Sequence, residues 1–174
     1  MKRYYKTENG QEVFFEGNVL YADGATIVNP TEEQMLEAGW LVWQEPEPTA
    51  EELLQAAKDE KLAAIDAYDA SPDVESFTIN GTTMWLGHEV RQQLKTSVEA
   101  YSAAGYSNVS KWFGGTEYTF TVSQWLQMLA ALEIYAAEAL NTTEAHRAAV
   151  NAMTDIADVE AFDITAGYPS KLVF

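Results

Sequence analysis

The residues able to do chemistry are few and scattered. The chain holds two histidines, His88 and His146, and no cysteine. Imidazole serves as acid, base or metal ligand near neutral pH. A zinc site needs further ligands at set spacings, and neither histidine has one four residues on. Both therefore read as structural or surface histidines. Asp155, Asp158, Glu160 and Asp163 crowd together, which suits a hard cation such as calcium. The glycine-turned calcium loop is missing. The pairs Glu32/Glu33 and Glu51/Glu52 fall in first turns of predicted helices, where the helix dipole accounts for them. None stands out as the acid and base of a glycosidase. There is no phosphate loop, dinucleotide fingerprint or nucleophile elbow. The expectation is a chain with no catalytic residue, no metal and no cofactor.

Charge narrows the partners. Among 174 residues, 27 are acidic and 10 basic, giving −17. Duplex binding needs clustered Lys and Arg to displace counterions, so nucleic acid is disfavoured. The same field repels anionic lipid. No apolar run is long enough to span a bilayer, and the N-terminus has no apolar segment of the signal-peptide kind. Between Lys6 and Lys58 there is no basic residue at all. This is a solubilising surface, or an acidic face for a basic partner.

The elements that must position these groups fall into two parts. Residues 1–44 read as a small β-rich domain. Short aromatic runs surround Asn9-Gly10 and Asp23-Gly24, the strongest hairpin turns. Thr31 and Gln34 form a capping box opening a helix of about two turns, with Met35 and Leu36 facing in. Gly39 closes it, and Trp40–Trp43 is a last strand. The aromatics Tyr4, Phe14, Tyr21, Trp40 and Trp43 supply either a small core or a surface for a partner or carbohydrate. Residues 45–49, with Pro46 and Pro48 among glutamates, form a linker.

Residues 50–174 read as a helical domain carrying two hairpins, so the fold class is α+β. A Thr49-capped helix spans about 50–69. Two stretches, 76–94 and 110–128, then match at an offset of 34 positions: Ile79 with Phe113, Gly81 with Gly115, Met84 with Tyr118, Leu86 with Phe120 and Leu94 with Met128. Each is a strand, a two-residue turn, a strand and a helix, and the two units are expected to share one core. In the first, Phe77, Ile79, Met84 and Leu86 face one way and Thr78, Thr83 and Trp85 the other. Its helix, about 88–104, carries Val90, Leu94, Val98 and Tyr101 one turn apart. In the second, Thr121 caps a helix whose stripe is Trp125, Met128, Leu129, Leu132, Ala136 and Leu140. Asn141-Thr142-Thr143 either breaks it or lies inside one near-continuous helix to about 154, the reading preferred. That stripe is too wide for a coiled-coil seam, though self-association into a homo-oligomer stays open.

Residues 49–169 resemble a domain of unknown function common in tailed-phage and prophage proteins. The resemblance rests on the order of Asn80-Gly81, Arg91, the Thr121-capped helix and the closing Asp163-x-Thr165-x-Gly167-Tyr168-Pro169. Gly87 departs from the Asp or Ser usual before the first long helix. NPTEEQMLEAGW and the Pro-rich link are also similar to the front of tail-fibre and tail-fibre-assembly proteins. The resemblance implies a non-enzymatic structural or adaptor role at a phage tail, in the virion or in host cytoplasm during assembly. Its partners would be other tail or tail-fibre proteins. Alternatives are a fibre-assembly chaperone or a host-surface glycan-binding or glycan-cleaving protein.

Overall fold

The computed structural model describes residues 2–174. It has two compact units, divided between Pro48 and Thr49.

In unit 1, β1 (Arg3–Glu8), β2 (Gln11–Phe14) and β5 (Leu41–Trp43) form an antiparallel sheet ordered β2-β1-β5. A second hairpin pairs β3 (Val19–Ala22) with β4 (Ala25–Val28). Both hairpins turn on two residues with positive φ, Asn9-Gly10 (53° and 79°) and Asp23-Gly24 (47° and 76°). That is the turn whose twist suits paired strands. Helix α1 (Glu32–Glu37) starts at a complete Thr31–Gln34 capping box. Met35 is buried, but Leu36, expected beside it, is exposed. A helix of under two turns offers only a narrow face to its neighbour. Among the described residues of this unit, only Leu20 and Met35 are fully buried apolar side chains.

Unit 2 is built on α4 (Val122–Ala152), one helix of 31 residues and about 46 Å at 1.5 Å per residue. Asn141, Thr142 and Thr143 lie inside it. The hydroxyls of Thr142 and Thr143 donate to the carbonyls of Glu138 and Ala139, one turn back, so the polar run bonds into the helix instead of breaking it. Against its first half pack hairpin β6 (Phe77–Ile79)–β7 (Thr82–Met84), helix α3 (His88–Ala103) and hairpin β8 (Asn108–Phe113)–β9 (Thr116–Thr121). Both hairpins feed one core with Phe77, Ile79, Leu86, Leu94, Val98, Val109, Tyr118, Trp125 and Leu132. Against its second half, α2 (Ala50–Asp69) and α5 (Ile156–Ala161) enclose Ile65, Val150 and Val159. Residues 172–174 add a further, parallel strand to β6. Thr78 N–H donates to Leu172 O, Phe174 N–H to Thr78 O and Asn80 N–H to Phe174 O.

Three faces differ from expectation. On α3 the buried positions are Arg91, Leu94 and Val98, while Val90 and Tyr101 are exposed. The helix is rotated so that Arg91 meets Glu133 of α4. On α4 the stripe passes through Tyr135, Ala139 and Thr143 and leaves Leu140 exposed. Of these, Thr143 faces the end of α2 and the C-terminal tail through its hydroxyl's bonds with Asp69 and Tyr168, and the Tyr135 hydroxyl donates to Val74 O. Trp85 does not turn away from the core. Strand β7 ends at Met84, so alternation ends there too, and the indole packs against Tyr135 with ring centres 6.2 Å apart.

Candidate functional site

Unit 1 places its aromatics on two faces. Tyr5 lies opposite both Phe14 and Leu41, and Arg3 opposite Trp43. Cross-strand partners share a face, so Arg3, Tyr5, Phe14 and Trp43 gather together. Phe14 stacks edge-on with Trp43, and the Arg3 guanidinium lies 4.7 Å from the Phe14 ring centre and 5.3 Å from that of Trp43. Tyr4 belongs to the opposite face, paired with Val42, and is half-buried. Phe15 and Trp40 meet edge-on at 5.2 Å, with the Lys6 ammonium 5.0 Å from the Trp40 ring centre. The Trp40 indole N–H is buried and donates to nothing among the described residues.

A concavity of about 730 Å³ opens on this unit. Phe14, Tyr21 and Trp40 line it, so three of the five aromatics singled out in the sequence meet there; Trp43 adjoins through Phe14, and Tyr4 lies apart. Tyr21 is 77% exposed, and a tyrosine on a strand beside other rings offers a partner both apolar area and a hydroxyl. The sequence reading missed the acidic rim, Glu8, Glu12 and Glu16, and the contribution of Phe15 and Val19. The available signal was alternation: Glu12, Phe14 and Glu16 lie two apart, as do Val19 and Tyr21.

Unit 2 uses its polar groups internally. Arg91, 4% exposed, donates from Nη1 to Leu86 O and from Nη2 to Glu133 Oε2, with its Nε 3.1 Å from Glu133 Oε1. The Nε contact is poorly aligned for a hydrogen bond, yet the two nitrogens facing one carboxylate amount to a forked ion pair. Gln92 also donates to Glu133, and His88 Nδ1 lies 3.6 Å away. The bond from Arg91 holds the Glu133 carboxyl below its ordinary range, against the opposing effect of burial. Helix α3 begins at Gly87 with no side-chain cap; an anion one helix away, beside His88 in its first turn, suits that end.

His146 is enclosed edge-on by Phe162 and Tyr168. Of the four clustered carboxylates, Asp155 caps α5 and Asp163 accepts from the N–H and hydroxyl of Thr165. The Thr165 hydroxyl, then its amide, lowers the Asp163 carboxyl below its usual value. The closing motif is thus a docking device. Thr142 donates to Gly167 O, and Tyr168 bonds Thr143 and stacks on Tyr68. Among the described residues no three His, Asp or Glu side chains converge as a metal set, and no helix is long and apolar enough to cross a membrane. A separate apolar groove of about 430 Å³ lies beside Phe120, Met128, Ala131 and Phe174.

No protein family, curated protein or solved structure matches this chain.

Proposed function

We propose that the chain is a non-enzymatic structural or adaptor protein of a phage tail. Unit 1 holds another tail or tail-fibre subunit in its aromatic concavity, and unit 2 is the rigid body that carries it. The observation behind this reading is the imbalance of unit 1. Among its described residues two apolar side chains are fully buried, while Val13, Tyr21, Val28, Leu36 and Leu41 remain exposed. Apolar surface concentrated outside a small core marks an interaction site. The resemblance of the motif order to tailed-phage proteins supplies the setting. The buried polar residues Ser76, Arg91 and Thr143 of unit 2 are bonded within it, which suits a scaffold.

Mass spectrometry of purified virions tests the proposal. The chain should be found in them, and its crosslinks should join unit 1 to a tail or fibre subunit. Presence in the infected cell with absence from the particle would make it an assembly chaperone. Crosslinks confined to unit 2 would overturn the assignment of the concavity.

A further inference from the structure

The backbone of unit 1 says how a partner would bind. Phe15 N–H donates to Tyr4 O, so Phe15 and Tyr4 form a hydrogen-bonded pair of the antiparallel ladder. Such pairs alternate with non-bonded ones. With Tyr5 opposite Phe14 and Lys6 opposite Val13, the amides and carbonyls of Glu12 and Phe14 face away from β1, on the outer edge of the sheet. The second hairpin behaves alike. Asn29 N–H donates to Asn18 O, so with Val19 opposite Val28 the backbone groups of Val19 and Tyr21 face away from β4. Glu12, Phe14, Val19 and Tyr21 all line the same concavity. Two open strand edges therefore border one groove.

Carboxylates outnumber cations in the groove: Glu8, Glu12 and Glu16 line it beside the single ammonium of Lys6, and none of the three makes an ion pair among the described residues. Among the described residues of the unit, the Lys and Arg side chains are already engaged: Lys2 with Glu32, Arg3 over Phe14 and Trp43, Lys6 over Trp40. A second copy of this chain, itself at −17, would bring like charge against like.

We infer that the groove takes an extended, basic segment of another protein, which adds as a strand to the open edge of β2 or β3 and sets its Lys or Arg side chains against Glu8, Glu12 and Glu16. This rests on the reading of unit 1 as a protein-binding module. Main-chain bonds would supply affinity and the alternating side chains selectivity. The aromatic floor accepts apolar residues and, through ring faces, the cations themselves.

The probe is a short synthetic peptide alternating Lys and Val, offered to the full chain and followed by amide NMR. Binding should shift and protect the amides of Glu12, Phe14, Val19 and Tyr21. It should weaken as salt rises, and by about tenfold in the double variant Glu12→Lys/Glu16→Lys. The same peptide with alternate backbone nitrogens methylated keeps its charge but cannot pair, and should lose binding. Equal binding by the methylated peptide, unchanged affinity in the double variant, shifts confined to unit 2, or no binding of the basic peptide would each overturn strand addition. Virion mass spectrometry is independent of these results. A chain found in virions whose groove ignores the peptide keeps the tail reading and loses this one; the reverse outcome does the opposite.

Discussion

The two units use the same local device to opposite ends. Each hairpin turns on two residues of positive φ: Asn9-Gly10 and Asp23-Gly24 in unit 1, Asn80-Gly81 and Gly114-Gly115 in unit 2. In unit 2 those hairpins have α3 and α4 behind them. Phe77, Ile79, Val109 and Tyr118 are buried, and β6 is flanked by β7 on one side and residues 172–174 on the other. Unit 1's own helix, α1, is under two turns long, and among the described residues of that unit β2, β3, β4 and β5 each keep an edge unpaired. A hairpin becomes framework or contact surface according to what backs it. Natural proteins blunt exposed edges with charge, and Glu12 on the edge strand β2 deters another acidic chain while leaving the edge open to a basic one.

The sharpest way to break this contrast is at the centre of unit 2. Trp125 is fully buried, donates its indole N–H to Val109 O and packs against Phe113 and Phe120. Trp125→Ala should destabilise unit 2 by about 4 kcal/mol, seen as a shifted denaturant midpoint. Unit 1, followed by its own amide resonances, should stay folded; joint loss of both would show one cooperative body.

Arg91→Ala comes next. It strands Leu86 O and unpairs Glu133, which is part-exposed and so partly rehydrated. About 2 kcal/mol is expected, below the loss for a fully buried pair. The pair also predicts a pH effect. The folded carboxyl of Glu133 is depressed, so its contribution is present above the unfolded value of about 4.3 and is lost as pH falls through the folded one. Glu133→Gln should flatten that part of the acid-denaturation curve; an unchanged acid limb would remove the pair from the account.

Gly81→Val should cost roughly 1–3 kcal/mol, because a β-branched residue resists φ of 76°. Gly10→Val strains unit 1 alike but should leave the unit 2 melting transition in place. Equal effects of both on that transition would erase the distinction between the units.

The smallest effect on stability falls where binding matters most. Tyr21→Ser should change stability by less than about 0.5 kcal/mol while weakening capture of the basic peptide. A large fall in melting temperature would make Tyr21 part of the core.

What could be read in the sequence follows from which forces are local. The turn glycines set both hairpin registers in unit 2, and Thr31, Thr49 and Thr121 each formed the capping box expected from the Gln or Glu three residues later. Helix α4 ran through Asn141–Thr143 as expected, although Leu140, counted in its apolar phase, is exposed and the polar Thr143 is buried in its place. The rotation of α3 was hidden, since Arg91 is buried by a carboxylate 42 positions away, and apolar spacing alone cannot see an ion pair. The candidate groove was half visible. Its aromatics were conspicuous, but which of Tyr4, Phe14, Tyr21 and Trp40 border one concavity depends on tertiary packing within unit 1. Its acidic rim looked like general solubilising charge.

The bonds between residues 172–174 and Thr78 and Asn80 also have a consequence in time. A ribosome delivers the chain from its N-terminus, at several residues per second. The first hairpin of unit 2 therefore waits through the making of α3, the second hairpin and all of α4 before its last neighbour arrives. Contacts so distant in sequence are slow to form. Throughout that interval the nascent chain carries a bare strand that a neighbouring chain could capture, so the order of synthesis makes the arrival of residues 172–174 the step that ends this hazard.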